Sequence, residues 1–295
     1  HAVIASLMVD TKEEWKEIIE RAEDAGADGH ELNFGCPHGM CERGMGSAVS
    51  SEPKVLLEIA RWAVEFATKP VIVKLSPNVT DIVEPGEAVL ESGAHAISLI
   101  NTVKSIMGID LDRMVPMPRV GSGSTNGGYC GPAVKPIALH MVGELTRHPG
   151  IAKLPISGIG GINTWRDAVE FMLLGAGNVQ VCTAVMHYGY RIVEDMADGL
   201  SNWMDDKGFT SIDQFRGRAL PTVTEWQHLN LRAVSKAVID QDSCIQCGRC
   251  HIACEDTSHQ AITAVKDGQR HFEVLENECV GCNLCVTVCP VPDCI

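Results

Sequence analysis

Through the first two hundred residues, short apolar runs rich in branched side chains alternate with longer stretches whose apolar positions recur every three or four residues. The short runs are Ala2 to Val9, Gly29 to Gly35, Pro70 to Leu75, Ala94 to Asn101, Leu154 to Gly160 and Asn178 to Ala184. Their length and branching predict buried strands, and the stretches between them predict amphipathic helices. The first helix is the clearest: Thr11 and Glu14 have capping-box spacing, and Trp15, Ile18, Ile19 and Ala22 then share one face. Gly26-Ala27, Gly93-Ala94 and Gly175-Ala176 each separate a helical stretch from the next strand, where a glycine suits a left-handed C-terminal cap.

Strand and helix in alternation predict the α/β class with parallel βα units. Six such units without a dinucleotide fingerprint predict a (β/α)8, TIM-barrel-type domain over residues 1–205, with six of its eight units visible. Because the chain starts abruptly at His1, inside what reads as a strand, the expectation is that the N-terminal quarter to third of the natural protein is absent. A doubly wound open sheet is the alternative, but Gly158-Ile159-Gly160-Gly161 lacks the third glycine of a dinucleotide loop and no ribose-binding acid follows at the expected offset. Residues 206–236 lose the rhythm and are expected to be a connector. Residues 237–295 form a separate module, expected to be a ferredoxin-like α+β domain.

Composition narrows the partners. Hydrophobic residues make up 45% of the chain and charged residues 21%, which is globular rather than disordered, and no apolar run approaches the ~20 residues of a membrane-spanning helix. The net charge of -14 repels phosphate backbones and anionic lipid, so neither nucleic acid nor membrane is an expected partner. From Asp240 onward nine acids face three bases, which suits either a solvated surface or a docking face for an electron-transfer partner.

Eight of the thirteen cysteines crowd into residues 244–289, a pattern that suits a reducing cytoplasm. Cys244, Cys247, Cys250 and Cys254 have the C-x2-C-x2-C-x3-C spacing, repeated as Cys279, Cys282, Cys285 and Cys289 with Pro290 after it. This is the two-cluster ferredoxin spacing, in which the fourth cysteine of each run ligates the other cube. One [4Fe-4S] cluster would use Cys244, Cys247, Cys250 and Cys289, the other Cys279, Cys282, Cys285 and Cys254. A pair of zinc sites is the competing reading, though zinc more often draws ligands from separated pairs. Cys294 falls outside both runs and is expected to be a buried small hydrophobe.

Barrel chemistry sits at the C-terminal ends of strands, and polar residues collect there. Asn33 and Cys36 end the second run, Lys74 the third, Asn101 and Thr102 the fourth, Gly160 and Gly161 the fifth, and Cys182 and Thr183 the sixth. Any one of them alone would be a turn former or a packing residue. Five strand ends in succession point to a site, with glycines and hydroxyls after the last two strands where barrels commonly bind phosphate.

The runs Asn33-Phe34-Gly35-Cys36-Pro37-His38-Gly39-Met40, Lys74-Leu75-Ser76-Pro77-Asn78, Asn101-Thr102-Val103, Gly158-Ile159-Gly160-Gly161-Ile162 and Gln180-Val181-Cys182-Thr183 resemble the dihydropyrimidine dehydrogenases. With two cluster motifs and no NAD-binding domain, the chain is more closely similar to the catalytic subunit of the bacterial two-subunit enzymes, whose barrel is of the dihydroorotate dehydrogenase group. The resemblance implies FMN in the barrel, two [4Fe-4S] clusters in the tail, and reduction of uracil or thymine to the 5,6-dihydro compound. It implies that Cys36 is the proton donor and that Asn33, Phe34, Gly35, Asn101 and Thr102 line the pyrimidine. It further implies that Lys74, Gly131, Ile159, Gly160, Gly161, Cys182 and Thr183 hold FMN. A separate NAD(P)H-oxidising FAD flavoprotein subunit would supply electrons, making a hetero-oligomer. Gly35 departs from the family, which commonly has serine there, and the family's N-terminal region supplies a lysine and other flavin contacts.

The side-chain chemistry agrees. A carboxamide offers a donor and an acceptor side by side, matching adjacent N–H and C=O groups of a pyrimidine, so two asparagines can fix the ring. An ordinary thiol keeps its proton at neutral pH and can donate it beside a hydride transfer. The stretch Pro37 to Pro53 is long for a βα loop and holds Gly39, Gly44 and Gly46, as a closing lid would. His38 and Cys41 within it read as a loop hydrogen-bonder and a bystander. Two other functions stay open: oxidation of dihydroorotate or another small ring, and electron carriage without substrate chemistry.

Overall fold

The six apolar runs form six short strands, each shorter than its run: β1 (Ile4–Leu7), β2 (Gly29–Asn33), β3 (Val71–Lys74), β4 (Ala96–Leu99), β5 (Ile156–Ile159) and β6 (Asn178–Gln180). A computed structural model describes residues 1–37, 44–268 and 270–295. They divide into two units, His1–Val223 and Thr224–Ile295.

In the first unit the strands lie side by side in chain order, every neighbouring pair parallel. A doubly wound sheet would reverse its order at a switch point, and this one does not. Laid flat, β2 and β6 would stand roughly 19 Å apart across four strand spacings. Instead the Gln180 Nε2 on β6 donates to Glu31 Oε2 on β2 at 2.9 Å. The sheet is therefore curled about an interior, as a TIM-type barrel requires.

The helices cover the outside by local rules. Thr11 caps the helix Lys12–Asp24 in a capping box with Glu14, and Trp15 and Ile19 are buried beneath it. The helix Pro53–Phe66 starts on proline and buries Leu56, Ile59, Ala60 and Ala63 as a single stripe. Gly26, Gly93 and Gly175 all have positive φ, as their caps require.

Two stretches differ from the sequence reading. The expected connector of residues 206–236 is split, because its first part packs on the barrel unit. Phe215 is fully buried, its ring 5.0 Å from Trp203 and 5.4 Å from Phe209, and the N–H groups of Gly217 and Ala219 donate to the carbonyls of Met172 and Leu173. The other difference lies between β4 and the helix Lys135–Arg147, where residues 103–129 form three small antiparallel ribbons. Those strands run two or three residues and are largely exposed, so they lack the apolar alternation that marks a strand in sequence.

The second unit pairs Ile262–Val265 with His271–Val274 in an antiparallel hairpin and carries two short helices, Arg249–Glu255 and Leu284–Val288. Its small core gathers Ile239, Ile262 and Phe272 with Cys250, Cys285 and Cys294. Cys294 is 2% exposed, the buried small hydrophobe expected. No helix among the described residues is long and apolar enough to cross a membrane.

A partly buried polar clamp ties the first helix to the sheet. Glu23 accepts hydrogen bonds from the Thr68 N–H at 2.8 Å, the Lys69 N–H at 3.1 Å and the Thr68 hydroxyl, and its Oε1 lies 3.0 Å from His30 Nε2. Against the cost of burial, the Thr68 hydroxyl, His30 and the two N–H groups hold this carboxyl down at about 2. A depressed carboxyl stabilises the fold above its ordinary value near 4.5 and loses that contribution as pH falls toward 2. The substitution E23Q is expected to cost about 1–3 kcal/mol at pH 7. Chemical denaturation should show this gap shrinking between pH 4.5 and pH 2; a gap that is constant with pH would contradict the clamp.

Candidate functional site

Asn33 ends β2 and Asn101 follows β4, and the curl of the sheet brings their amides together: Asn101 Nδ2 donates to Asn33 Oδ1 at 2.9 Å. Asn101 Oδ1 accepts the Thr102 N–H at 2.7 Å, so its amide orientation is set by the backbone. Gly35 packs directly beneath Asn101. A Cβ at Gly35 would press on Asn101 Cβ and come within 2.8 Å of its Nδ2. The serine common in the family resemblance cannot be seated here without moving that asparagine.

One cavity at this end of the sheet is lined by Lys74, Asn101, Thr102, Gly131, Ile159, Gly160, Gly161, Cys182 and Thr183. All seven residues expected to hold FMN, and two expected to touch pyrimidine, thus meet in one place. The lining suits a polar, anion-bearing cofactor. Gly131, Gly160 and Gly161 have φ of 89°, 127° and 76°, and a Cβ on Gly161 would lie 2.9 Å from the Gly131 carbonyl and the Lys135 nitrogen. Backbone can approach a ligand closely at such positions. Two buried acceptors, Thr102 Oγ1 and Asn163 Oδ1, have no protein partner, which leaves hydrogen-bonding capacity for a bound group.

The remaining expected residues are placed differently. Phe34 is 1% exposed and packs edge-on to Trp15 at 6.0 Å, so its side chain belongs to the core rather than to this cavity, where it was expected to line a pyrimidine. An aromatic between two site residues on a strand end points to the opposite face of the sheet. Cys36 is half-buried, three residues after Asn33; its carbonyl accepts the Ser47 N–H at 2.9 Å. It is not among the cavity-lining residues. His38 and Cys41, with Gly39 of the expected lid, lie outside the described residues; the later part of that stretch forms the short helix Ser47–Ser50.

Several positions at or around the cavity were given no role by the sequence reading. Gln180, Asn163 and Cys130 also line the cavity. Asn78 clamps the loop that follows β4, its Nδ2 donating to the Thr102 carbonyl at 3.1 Å and its Oδ1 accepting the Lys104 N–H at 2.8 Å. Asn163 and Gln180 could have been found from their places beside Gly161 and Cys182. Lys135 pairs with Asp167 at 2.7 Å and Glu170 at 2.8 Å; both carboxylates raise its ammonium against the effect of burial.

In the second unit, Cys254, Cys279, Cys282 and Cys285 line one cavity, and Cys244, Cys247, Cys250 and Cys289 line another. Each set exchanges its fourth cysteine with the other run, as the spacing predicted. Both runs bend the backbone at the same places: φ is positive at Gln246 and Gly248 in the first (59° and 77°) and at Gly281 and Asn283 in the second (72° and 66°). Backbone N–H groups reach the sulfurs, from Ala261 to Cys254 at 3.1 Å and from Ala237 to Cys279 at 3.5 Å. The Ala237 N–H lowers the Cys279 thiol, helped by Gly281 and Lys236 against burial, whereas burial raises Cys250 and Cys285. Four soft sulfurs with N–H support suit an iron-sulfur cluster.

Comparisons with known proteins fit both units. Residues 1–204 match the family Dihydroorotate dehydrogenase and residues 237–295 match the 4Fe-4S dicluster domain. The chain is 43% identical over 289 residues to the PreA subunit of NAD-dependent dihydropyrimidine dehydrogenase of Escherichia coli K12, covering 98% of this chain and 70% of that one. It is 43% identical over 243 residues to the chloroplastic NADP-dependent dihydropyrimidine dehydrogenase of Arabidopsis thaliana, covering 81% of this chain and 57% of that one. To the catalytic subunit of NAD-dependent dihydroorotate dehydrogenase B of Pyrococcus horikoshii it is 40% identical over 218 residues, or 74% of this chain and 68% of that one.

The contact beneath Asn101 is open to a direct test. G35S should force Asn101 off Asn33 and cost about 1–3 kcal/mol through overpacking. A thermal melt would detect it, and unchanged stability would mean that Asn101 is free to shift.

Proposed function

The chain belongs to the dihydroorotate dehydrogenase family, with a 4Fe-4S dicluster domain following in sequence, and from that premise we propose that it reduces uracil or thymine to the 5,6-dihydropyrimidine. The observation that carries this reading is the meeting of Lys74, Gly160, Gly161 and Thr183 with Asn101 and Thr102 in one cavity, with Asn33 bonded to Asn101 beside it. It is an oxidoreductase in which the tail and the barrel divide the work. The matching relative that includes the tail is named for dihydropyrimidine; the relative named for dihydroorotate matches a length close to that of the first unit alone.

FMN, when bound, supplies two-electron hydride chemistry. The chain's own residues do the rest. Lys74 and the N–H groups of Gly160 and Gly161, which line the cavity, would hold the cofactor's polar atoms. The Asn33 and Asn101 amides read adjacent N–H and C=O groups of the pyrimidine and fix its plane. Cys36 Sγ carries the proton delivered to the ring carbon beside the one that receives hydride. The two crossed sulfur sets would each hold a [4Fe-4S] cluster, which would supply one-electron transfer from a separate NAD(P)H-oxidising FAD subunit in a hetero-oligomer. The acidic tail is the relay face, and coupling to that subunit weakens as salt rises.

Two measurements test the reading. In the complex with its reducing partner, C36A should leave pyrimidine affinity little changed while turnover falls ~100-fold to 10,000-fold, the usual share of general acid catalysis. C36S should also be slow, since an alcohol is a weaker acid; near-normal turnover in C36A would remove the thiol from the mechanism. Anaerobic protein should contain about eight iron atoms per chain. C254S should reduce the count toward four by emptying the cavity of Cys279, Cys282 and Cys285, and zinc in place of iron would end the electron-transfer reading.

A further inference from the structure

Among the described residues, Glu31 is the only buried carboxylate, 7% exposed and in the middle of the barrel interior. Its Oε2 accepts from the Ser98 hydroxyl of β4 at 2.8 Å and from Gln180 Nε2 of β6 at 2.9 Å. Its Oε1 faces Lys74 Nζ of β3 at 3.1 Å. Gln180 is itself held by a second hydrogen bond to Ser157 Oγ of β5 at 3.2 Å. The carboxylate is thus fixed from three strands, and the ammonium it grips lines the candidate cofactor cavity.

Building on the flavin reading, we propose that Glu31 is a positioning residue, which acts on the cofactor only through Lys74. A lysine has four rotatable side-chain bonds and a compact charge with three donors. Left alone it would sample many rotamers and lose that freedom on binding. With one N–H committed to a carboxylate that cannot move, two donors remain in a fixed place for the electron-rich edge of a flavin. The ordering is complete before the cofactor arrives, so it adds to affinity rather than being charged against it.

The geometry supplies a selective probe. In E31Q the amide oxygen can still accept from Ser98 and Gln180, so the cross-strand link survives, but the amide nitrogen then meets the Lys74 ammonium as a second donor. FMN titration followed by fluorescence quenching, in full-length protein, should show E31Q binding about tenfold more weakly, the scale of one charge-assisted hydrogen bond. K74M should lose at least as much, and E31Q/K74M should bind no more weakly than K74M alone, because Glu31 has nothing left to position. S98A, which loosens the carboxylate without removing it, should weaken FMN binding when Lys74 is present and have no effect in K74M. E31Q within twofold of the unsubstituted protein, or losses that multiply in the double variant, would overturn the inference. So would an E31Q melting temperature far below that of K74M, which would assign Glu31 to barrel closure instead. Unsubstituted protein that takes up no FMN would refute the flavin reading itself, before Glu31 is in question.

Discussion

A carboxylate on an inward position of a parallel strand has to find donors across the barrel, since an ion left unpaired in an apolar interior costs several kcal/mol. Glu31 finds them on β3, β4 and β6. That requirement is incompatible with a flat sheet, and it puts the C-terminal ends of nonadjacent strands within reach of one another. The Asn33 to Asn101 bond and the cavity that gathers Lys74, Thr102, Gly161 and Thr183 are consequences of the same curl. The site is therefore built on strand ends held by the interior, where small displacements are resisted by close packing.

The second unit meets the opposite problem. It is too small for a large apolar core, and much of its interior is cysteine: Cys250, Cys285 and Cys294 pack with Ile239, Ile262 and Phe272. Organisation comes from backbone conformation instead. Left-handed residues at matching positions of the two cysteine runs turn the chain around each sulfur set, with a glycine at one of the two bends in each run and Gln246 or Asn283 at the other. At Gly281 a side chain would strike the Ser235 carbonyl, and at Gly248 it would lie 2.6 Å from Arg270 Nη2. The two runs are near copies in conformation although their side chains differ.

How far the site was legible follows from how its residues signal. The cysteine runs were readable because ligand spacing is a local property, down to the exchange of Cys254 and Cys289 between sets. Strand ends were readable because apolar runs stop there. Phe34 was misplaced because neighbouring strand residues face opposite ways and its partner Trp15 comes from a helix. Glu31 carried no local mark and is defined by partners on β3, β4 and β6, while Asn78 and Asn163 lay in or beside marked runs but took their roles from a carbonyl 24 residues away and from an atom left without a partner. The ribbons of residues 103–129 and the docking of Phe215 were hidden for a related reason, as both depend on surfaces supplied by other parts of the chain.

The sequence by itself determined the class of the fold, the six strands of its parallel sheet, the caps of several helices and the spacing of the eight sulfurs, because these follow from periodicity, turn chemistry and spacing within a few residues. The family was likewise carried by short runs that can be read without coordinates. Only the tertiary structure decided that the sheet is curled, which of the strand-end residues share a cavity, that Gly35 is pressed against Asn101, and that one buried carboxylate holds Lys74 in place. Those facts depend on distances between residues far apart in the chain, and such distances are fixed by packing and by buried polar groups finding partners, neither of which any local pattern records.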